Sequence, residues 1–158
     1  MAATLAVLLT CGELWVKWPL QAMPPLPHAY RLLAALPRGA VVDFPFPYRN
    51  ADFHNHAWAM VMSTYPWQPL LNGYSDFIPP DFHELAIPVN GFPNAESFAI
   101  LRAHNVRYVI IRANEYGPML ARLRARFPAY AANLHRLNDD EDVWLFQILS
   151  YPEGVPSR

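Results

Sequence analysis

Two histidines separated by one residue are the first candidates for chemistry in this sequence. They lie in "DFHNHAW", where Asp52 precedes His54 and His56. A His-x-His pair on a strand directs both imidazoles to one side and can hold zinc. Here, however, the apolar residues repeat at helical spacing, and positions i and i+2 diverge by roughly 200° around a helix. A third ligand would have to be His83 or Asp81, far along the chain. We therefore expect no metal and no cofactor, and we expect the histidines to begin a helix or to line a pocket.

The other reactive residue types do not form a complete catalytic set. Asp76, Asp81 and Glu84 are close in sequence, but carboxylates grouped in a turn usually lie on the surface or cap a helix. No Gly-x-Ser-x-Gly turn exposes a nucleophilic serine, and no Gly-rich loop follows a strand to cradle phosphate. Cys11 is the only cysteine, which excludes a disulfide within one chain. We expect no catalytic residue in this chain.

The composition favours an apolar partner. The 158 residues fit one domain, and 53% are hydrophobic, 14% aromatic and only 16% charged. An average domain carries about 25% charged residues. The net charge of -1 provides no electrostatic footprint for nucleic acid. A charge-poor, aromatic-rich chain is instead typical of a domain that meets another apolar surface, either a protein or a membrane.

The N-terminal segment resembles the end of a membrane helix. No charged residue precedes Glu13, and Trp15, Lys17 and Trp18 follow it closely. A signal peptide would have a basic start and a small-residue cleavage site, and neither is visible. A complete transmembrane helix needs about 20 apolar residues, more than this run provides. We interpret residues 1–18 as the last part of such a helix with interfacial tryptophans; the alternative is a buried N-terminal helix.

The rest of the chain predicts an α/β domain with a small mixed sheet, flanking helices and a C-terminal β-hairpin. We expect residues 19–29 to form a proline-rich connector, residues 30–150 to form the domain and residues 151–158 to form a flexible tail. The predicted helices lie within 28–37, 50–64, 80–93, 94–105 and 115–128. The predicted strands lie within 38–47 and 106–112, and the hairpin lies within 132–149.

Three details of the helices are also predicted. In the helix within 50–64, the helical spacing places Phe53, Ala57, Met60 and Val61 on the core side. Pro88 is expected to end the helix that begins near Asp81. Asn94 with Ser97, where Glu is usual, predicts a partial helix cap.

The segment "STYPWQPLLNGYSDFIPPDF", residues 63–82, is the most unusual part of the chain. Its four prolines forbid a regular helix or a central strand, yet disordered segments lack its many aromatic residues. It therefore predicts a fixed loop packed on another part of the protein. Either its aromatic residues complete the core, or they face an interface.

Several segments together resemble a known membrane enzyme family. They are "AYRLLAALPRGAVVDFPFP", "MVMSTYPWQPLLNGYSDFIPP", "FAILRAHNVRYVIIR" and "VWLFQI". The chain from about residue 28 to 150 resembles the C-terminal extracytoplasmic domain of bacterial polytopic glycosyltransferases of the C superfamily. These are mannosyltransferase-like proteins that use polyprenyl-phosphate sugars. Pro66 departs from similar sequences, which often have histidine there.

The resemblance implies an accessory role on the periplasmic or extracytoplasmic side of a membrane. The family's catalytic carboxylate lies in an early loop between membrane helices, so this chain is expected to be an inactive fragment with an internal start. Its expected partners are the membrane, the transmembrane body of the enzyme and a polyprenyl-phosphate sugar. The candidate substrate- or interface-binding residues are Tyr65, Trp67, Asn72, Tyr74, His54 and His56. The alternative functions are a free-standing soluble or secreted binding module, or a metal-dependent hydrolase that uses His54 and His56.

Overall fold

The computed structural model describes residues 2–13, 22, 25–73 and 78–152. Its α-helices are α1 (Ala2–Glu13), α2 (His28–Ala34), α3 (Asn55–Ser63), α4 (Phe82–Val89), α5 (Ala95–Ala103) and α6 (Leu120–Arg124). Its strands are β1 (Ala40–Phe44), β2 (Val106–Arg112), β3 (Leu134–Arg136) and β4 (Val143–Ile148). Short 3-10 turns cover Asn50–Asp52, Ala113–Glu115, Gly117–Met119 and Phe127–Tyr130.

The strands form one mixed sheet in the order β1-β2-β4-β3. β1 and β2 are parallel, whereas β4 is antiparallel to both β2 and β3. The α/β class, the mixed sheet and the C-terminal hairpin are therefore confirmed. β1 ends at Phe44 and lies at one edge of the sheet. Pro45 and Pro47 follow it, and an edge position is expected there because proline has no N–H group to donate to a neighbouring strand.

The sheet is buried on both faces, because its strands are apolar at successive positions. Val109 and Ile111 of β2 face a core that includes Phe98 and Leu101 of α5, and we call this face the α5 side. Tyr108 and Ile110 face the opposite core, which contains Ala29, Tyr30 and Leu33 of α2 and Met62 of α3; we call it the α2 side.

The cap of α5 is complete rather than partial, which corrects the prediction. The Asn94 side chain accepts from the Ser97 backbone N–H at 2.7 Å, and the Asn94 N–H donates to Ser97 Oγ at 3.1 Å. The serine hydroxyl therefore performs the role that a glutamate has in the usual capping box. At the other end Asn105, with a φ of 53°, adopts the left-handed conformation that commonly follows a helix.

Two other helix predictions are wrong in detail. In α3 the core-facing residues are His56, Ala59 and Met62, whereas the predicted Ala57, Met60 and Val61 are exposed. The helix α4 does not stop at Pro88 but continues to Val89.

The helix predicted within 115–128 is interrupted. Its α-helical part, α6, is only five residues long, and Pro118 and Pro128 lie in the 3-10 turns on either side of α6. Proline lacks the N–H donor that a continuous α-helix needs.

None of the helices that the structure describes is long and apolar enough to cross a membrane. The apolar helix α1 covers 12 residues. Trp15, Lys17 and Trp18, on which the interfacial interpretation depends, lie outside the described residues.

Candidate functional site

The loop that follows α3 packs along the free edge of β1. Leu70 forms a parallel bridge with Val41, in which the Val41 N–H donates to Pro69 O and the Leu71 N–H donates to Val41 O, both at 2.8 Å. The Gly39 N–H donates to Gln68 Oε1 at 2.9 Å. Residues 68–72 thus satisfy backbone groups that an edge strand would otherwise leave open to pairing with another chain.

Asn72 completes this pairing through its side chain. Its Oδ1 accepts from the Asp43 N–H and its Nδ2 donates to Asp43 O, each at 2.7 Å. The residue is only 2% exposed, so its amide replaces a neighbouring strand at this position. Asn72 was a candidate for binding at an interface, and in the structure both of its side-chain groups are occupied inside the protein.

A buried charged network lies at the carboxyl ends of the two parallel strands. Asp43 of β1 is fully buried and accepts from Arg112 Nε of β2 at 2.8 Å. It also accepts from the Tyr30 hydroxyl of α2, while Arg112 Nη1 donates to Glu115 at 2.5 Å. Tyr30, Asp43 and Arg112 therefore join α2, β1 and β2 on the α2 side of the sheet. Arg112 Nη2 is buried without a hydrogen-bond partner among the described residues.

The pKa values in this network are shifted by burial and by the neighbouring charges. Burial raises the pKa of Asp43, against the attraction of the Arg112 guanidinium and the hydrogen bond from Tyr30. Burial alone would lower the pKa of Arg112, but the nearby carboxylates of Asp43 and Glu115 raise it. Burial and Asp43 together raise the pKa of Tyr30. Because Asp43 has no exposed surface and its polar atoms are paired, we interpret the network as structural.

The two histidines do not converge. His56 is buried on α3 and its Nε2 lies 2.9 Å from Pro47 O, which identifies Nε2 as the protonated nitrogen because a carbonyl oxygen can only accept. Phe46, Phe53 and Phe82 surround its ring, and burial lowers its pKa. His54 lies one residue before α3 and is exposed. The described residues contain no group of three or more His, Cys, Asp or Glu side chains that could hold a metal ion.

The exposed surface at the end of α3 is apolar and aromatic. Met60 is 39% exposed, Val61 41%, Tyr65 54% and Trp67 76%. We call these four residues the aromatic patch. Single exposed apolar residues are ordinary, but four large ones within eight positions make this segment a candidate for contact with another apolar surface. Of the six candidate residues, only Tyr65 and Trp67 belong to the patch, and Tyr74 lies outside the described residues.

Trp67 also has an unusual backbone conformation. Its φ of 49° is left-handed, and its N–H donates to Ser63 O at 3.0 Å, closing the end of α3. A residue with a β-carbon costs about 1 kcal/mol in this conformation, whereas glycine adopts it freely. The chain thus places a large, exposed indole at a position where glycine would end the helix with less strain.

Sequence reasoning missed the network of Tyr30, Asp43 and Arg112. A signal was present in "VVDFP", because a carboxylate inside an apolar strand must find a partner when it is buried. Arg112, at the end of "VRYVIIR", is a matching cation. Their separation of 69 positions gives no local pattern that would pair them.

Comparison with protein-family models, with curated proteins and with solved structures finds no match for this chain.

Proposed function

We propose that this chain is an accessory extracytoplasmic domain of a membrane glycosyltransferase that uses a lipid-linked sugar. The domain sits on the transmembrane body of the enzyme through the aromatic patch. The observation that carries the proposal is the exposure of Tyr65 and Trp67 beside Met60 and Val61. Tyrosine and tryptophan suit the boundary of a membrane, since their rings are apolar and their tips form hydrogen bonds.

The geometry of the loop separates its two roles. Its polar residues Gln68 and Asn72 hold it against β1, and its aromatic residues Tyr65 and Trp67 point outward. An anchored loop keeps exposed rings in a fixed place, which reduces the entropy that they would lose on docking. This arrangement suits a permanent contact with a neighbouring apolar surface.

The helix α1 also favours contact with an apolar environment. It carries no charged residue before Glu13, and Leu5, Val7 and Leu9 are each 61% exposed. Apolar residues that alternate around a helix cannot all face one protein core. A helix that is apolar on all sides is typical of a membrane segment or of a deeply buried helix.

The metal-dependent hydrolase alternative is not favoured by the geometry. His56 is held in an aromatic pocket by its bond to Pro47 O, whereas His54 is exposed. The two imidazoles therefore do not converge on one position where both could coordinate a metal ion.

The proposal is tested by replacing Trp67→Gly. We expect the isolated protein to keep its stability or to gain up to about 1 kcal/mol, because glycine relieves the left-handed strain. We expect its binding to phosphatidylcholine vesicles, measured by co-sedimentation, to fall. In a glycosyltransferase that carries this domain on its transmembrane body, the same change should lower sugar transfer without lowering the amount of protein in the membrane.

Met119→Gln is the matched control, because Met119 is similarly exposed at 52% but lies outside the patch. It should leave vesicle binding and sugar transfer unchanged. If Trp67→Gly instead cost about 3–5 kcal/mol of stability, as a buried tryptophan would, or if both variants behaved alike, the proposal would be rejected.

A further inference from the structure

One end of the sheet carries exposed arginines. β1 begins at Ala40 and the parallel strand β2 begins at Val106, so residues next to these positions lie at the amino ends of both strands. Arg38 precedes β1, Arg102 lies at the end of α5 and Arg107 lies in β2, and all three are exposed. We call these three arginines the basic end. Among the described residues none of the three forms an ion pair, so their charges can attract an anion.

The backbone around Arg107 leaves its side chain outside the sheet. The pairing of β1 with β2 skips this residue and joins Ala40 to Val106 and Val41 to Tyr108. A bulge of this kind turns a side chain away from its place in a regular ladder. The exposure of Arg107 in a strand whose other residues are all buried is therefore a consequence of the local pairing.

Gly39 brings Arg107 close to the loop that carries the aromatic patch. A β-carbon at Gly39 would lie 2.8 Å from both Cβ and Cδ of Arg107, so this approach requires a residue without a side chain. The Gly39 N–H donates to Gln68 Oε1 at 2.9 Å, and Gln68 directly follows Trp67 in the chain. Arg38 directly precedes Gly39. The basic end therefore lies beside the part of the aromatic patch that contains Trp67.

The opposite end of the sheet is acidic. Residues 139–142 are all Asp or Glu and immediately precede β4. The Asp142 carbonyl oxygen accepts from the N–H of Ala113 at 2.7 Å, which places this acidic turn at the carboxyl end of β2. β2 has seven residues, so about 20 Å separates its two ends. An anionic surface would attract the basic end and repel the acidic one, which would orient the domain.

The neighbouring aromatic residues select among anionic partners. A second copy of the chain could offer its residues 139–142 to the basic end, but these four residues have no apolar side chain to cover Tyr65 and Trp67. An anionic phospholipid bilayer offers both charged head groups and an apolar interior, and proteins that lie on such bilayers combine basic with aromatic residues. We infer that the basic end binds the head groups of anionic phospholipids beside the aromatic patch. The inference rests on the proposed function, because it names the lipid class that surrounds the docked patch.

The test is co-sedimentation of the full chain with two kinds of vesicle. One contains phosphatidylcholine alone, which has no net charge, and the other contains about 30% phosphatidylglycerol. We expect tighter binding to the anionic vesicles at about 0.05 M salt, and we expect about 0.5 M salt to remove the difference. Arg38→Gln and Arg107→Gln should each weaken binding to the anionic vesicles about fivefold, the contribution of one arginine near an anionic surface. Both variants should bind phosphatidylcholine as the unaltered protein does, which also shows that they are folded.

Arg122→Gln is the matched control, because it removes the same charge from an exposed position of α6, which packs on the α5 side of the sheet. It should bind both kinds of vesicle as the unaltered protein does. A fivefold loss in this control would overturn the inference. So would salt-sensitive dimers that form without vesicles and are lost in Arg38→Gln, because a second copy would then occupy the basic end.

The two kinds of vesicle also separate this inference from the proposed function. Equal binding to both would overturn the inference and would leave the docking of the aromatic patch intact. Binding to the anionic vesicles alone, weakened by Arg38→Gln and Arg107→Gln, would support the inference and would reject the apolar contact made by the patch.

Discussion

Asp43 and Arg112 hold together parts of the chain that are far apart in sequence. The cost of taking two charges out of water offsets most of their attraction, so a buried ion pair adds little net stability, whereas removing one partner leaves an uncompensated charge and is strongly destabilising. Here the pair fixes the carboxyl ends of β1 and β2, and the Tyr30 hydroxyl extends it to α2. Asn72 holds the backbone of the same Asp43 residue. One buried residue thereby positions two strands, a helix and the loop that carries Trp67.

The shifted pKa values predict a loss of stability in alkali. Burial raises the pKa of both Tyr30 and Tyr116 above the ordinary value, which is about 10 in an unfolded chain. Above that pH the unfolded state releases phenolic protons that the native state retains, so the free energy of unfolding falls as pH rises. Tyr116→Phe removes one such proton and should make this fall less steep. Urea melts between about pH 8 and 11 measure the slope.

Tyr116 is the appropriate residue for this test because its hydroxyl makes no hydrogen bond with other described residues, unlike that of Tyr30. The exposed Tyr48 provides a matched control, because Tyr48→Phe makes the same substitution at the surface. Equal slopes for the unaltered protein and for Tyr116→Phe would contradict the prediction.

Among the elements, those with a clear local pattern could be predicted and those fixed by distant contacts could not. The strand "VRYVIIR" and the hairpin are recognisable from continuous apolar runs and a charged turn. The prediction of which side of α3 faces the core was wrong. The sequence of this helix is apolar on nearly all sides, so the spacing of apolar residues does not indicate which side is buried. What decides it is the burial of His56 among the rings of Phe46, Phe53 and Phe82.

The loop of residues 63–82 illustrates the same limit. Its prolines and aromatic residues indicate a fixed loop, but its partner is β1, and the bonds between Asn72 and Asp43 span 29 positions. No short-range pattern specifies such a pairing. For the same reason the buried network was missed, although the aromatic residues Tyr65 and Trp67 could be named as candidates from sequence alone.

For the contact between this loop and β1, we predict that Asn72→Ala destabilises the protein by about 2–4 kcal/mol. The change leaves a buried N–H and a buried C=O of Asp43 without partners, and each such group costs about 1–3 kcal/mol. Denaturant unfolding measures the loss, and the exposed Asn114→Ala should change stability by no more than about 0.5 kcal/mol. Little effect from Asn72→Ala would indicate that the amide is not needed to hold the loop on β1, and would return Asn72 to the set of interface residues.

For the molecule as a whole, the sheet separates two packed layers of helices. The α2 side packs against Met62 of α3, the helix at whose end the aromatic patch lies, while the α5 side packs against Phe98 and Leu101 of α5. The loop that carries Tyr65 and Trp67 lies along β1, at the edge of this sheet. Because β1 and β2 contribute residues to both cores, the two layers share one sheet.

The final prediction concerns the contribution of the N-terminal segment to membrane binding. The full chain should co-sediment with phosphatidylcholine vesicles, and removal of residues 1–27 should weaken this binding by eliminating the exposed apolar residues of α1. The remaining binding should depend on Trp67 and be abolished by Trp67→Gly. Because the net charge is -1 and the patch contains no basic residue, raising the salt from about 0.05 to 0.5 M should not release the protein, unlike binding that depends on charge. Circular dichroism of the shortened chain controls for folding. A full chain that stays monodisperse at high concentration and never sediments with vesicles would reject membrane docking by α1 and by the aromatic patch alike.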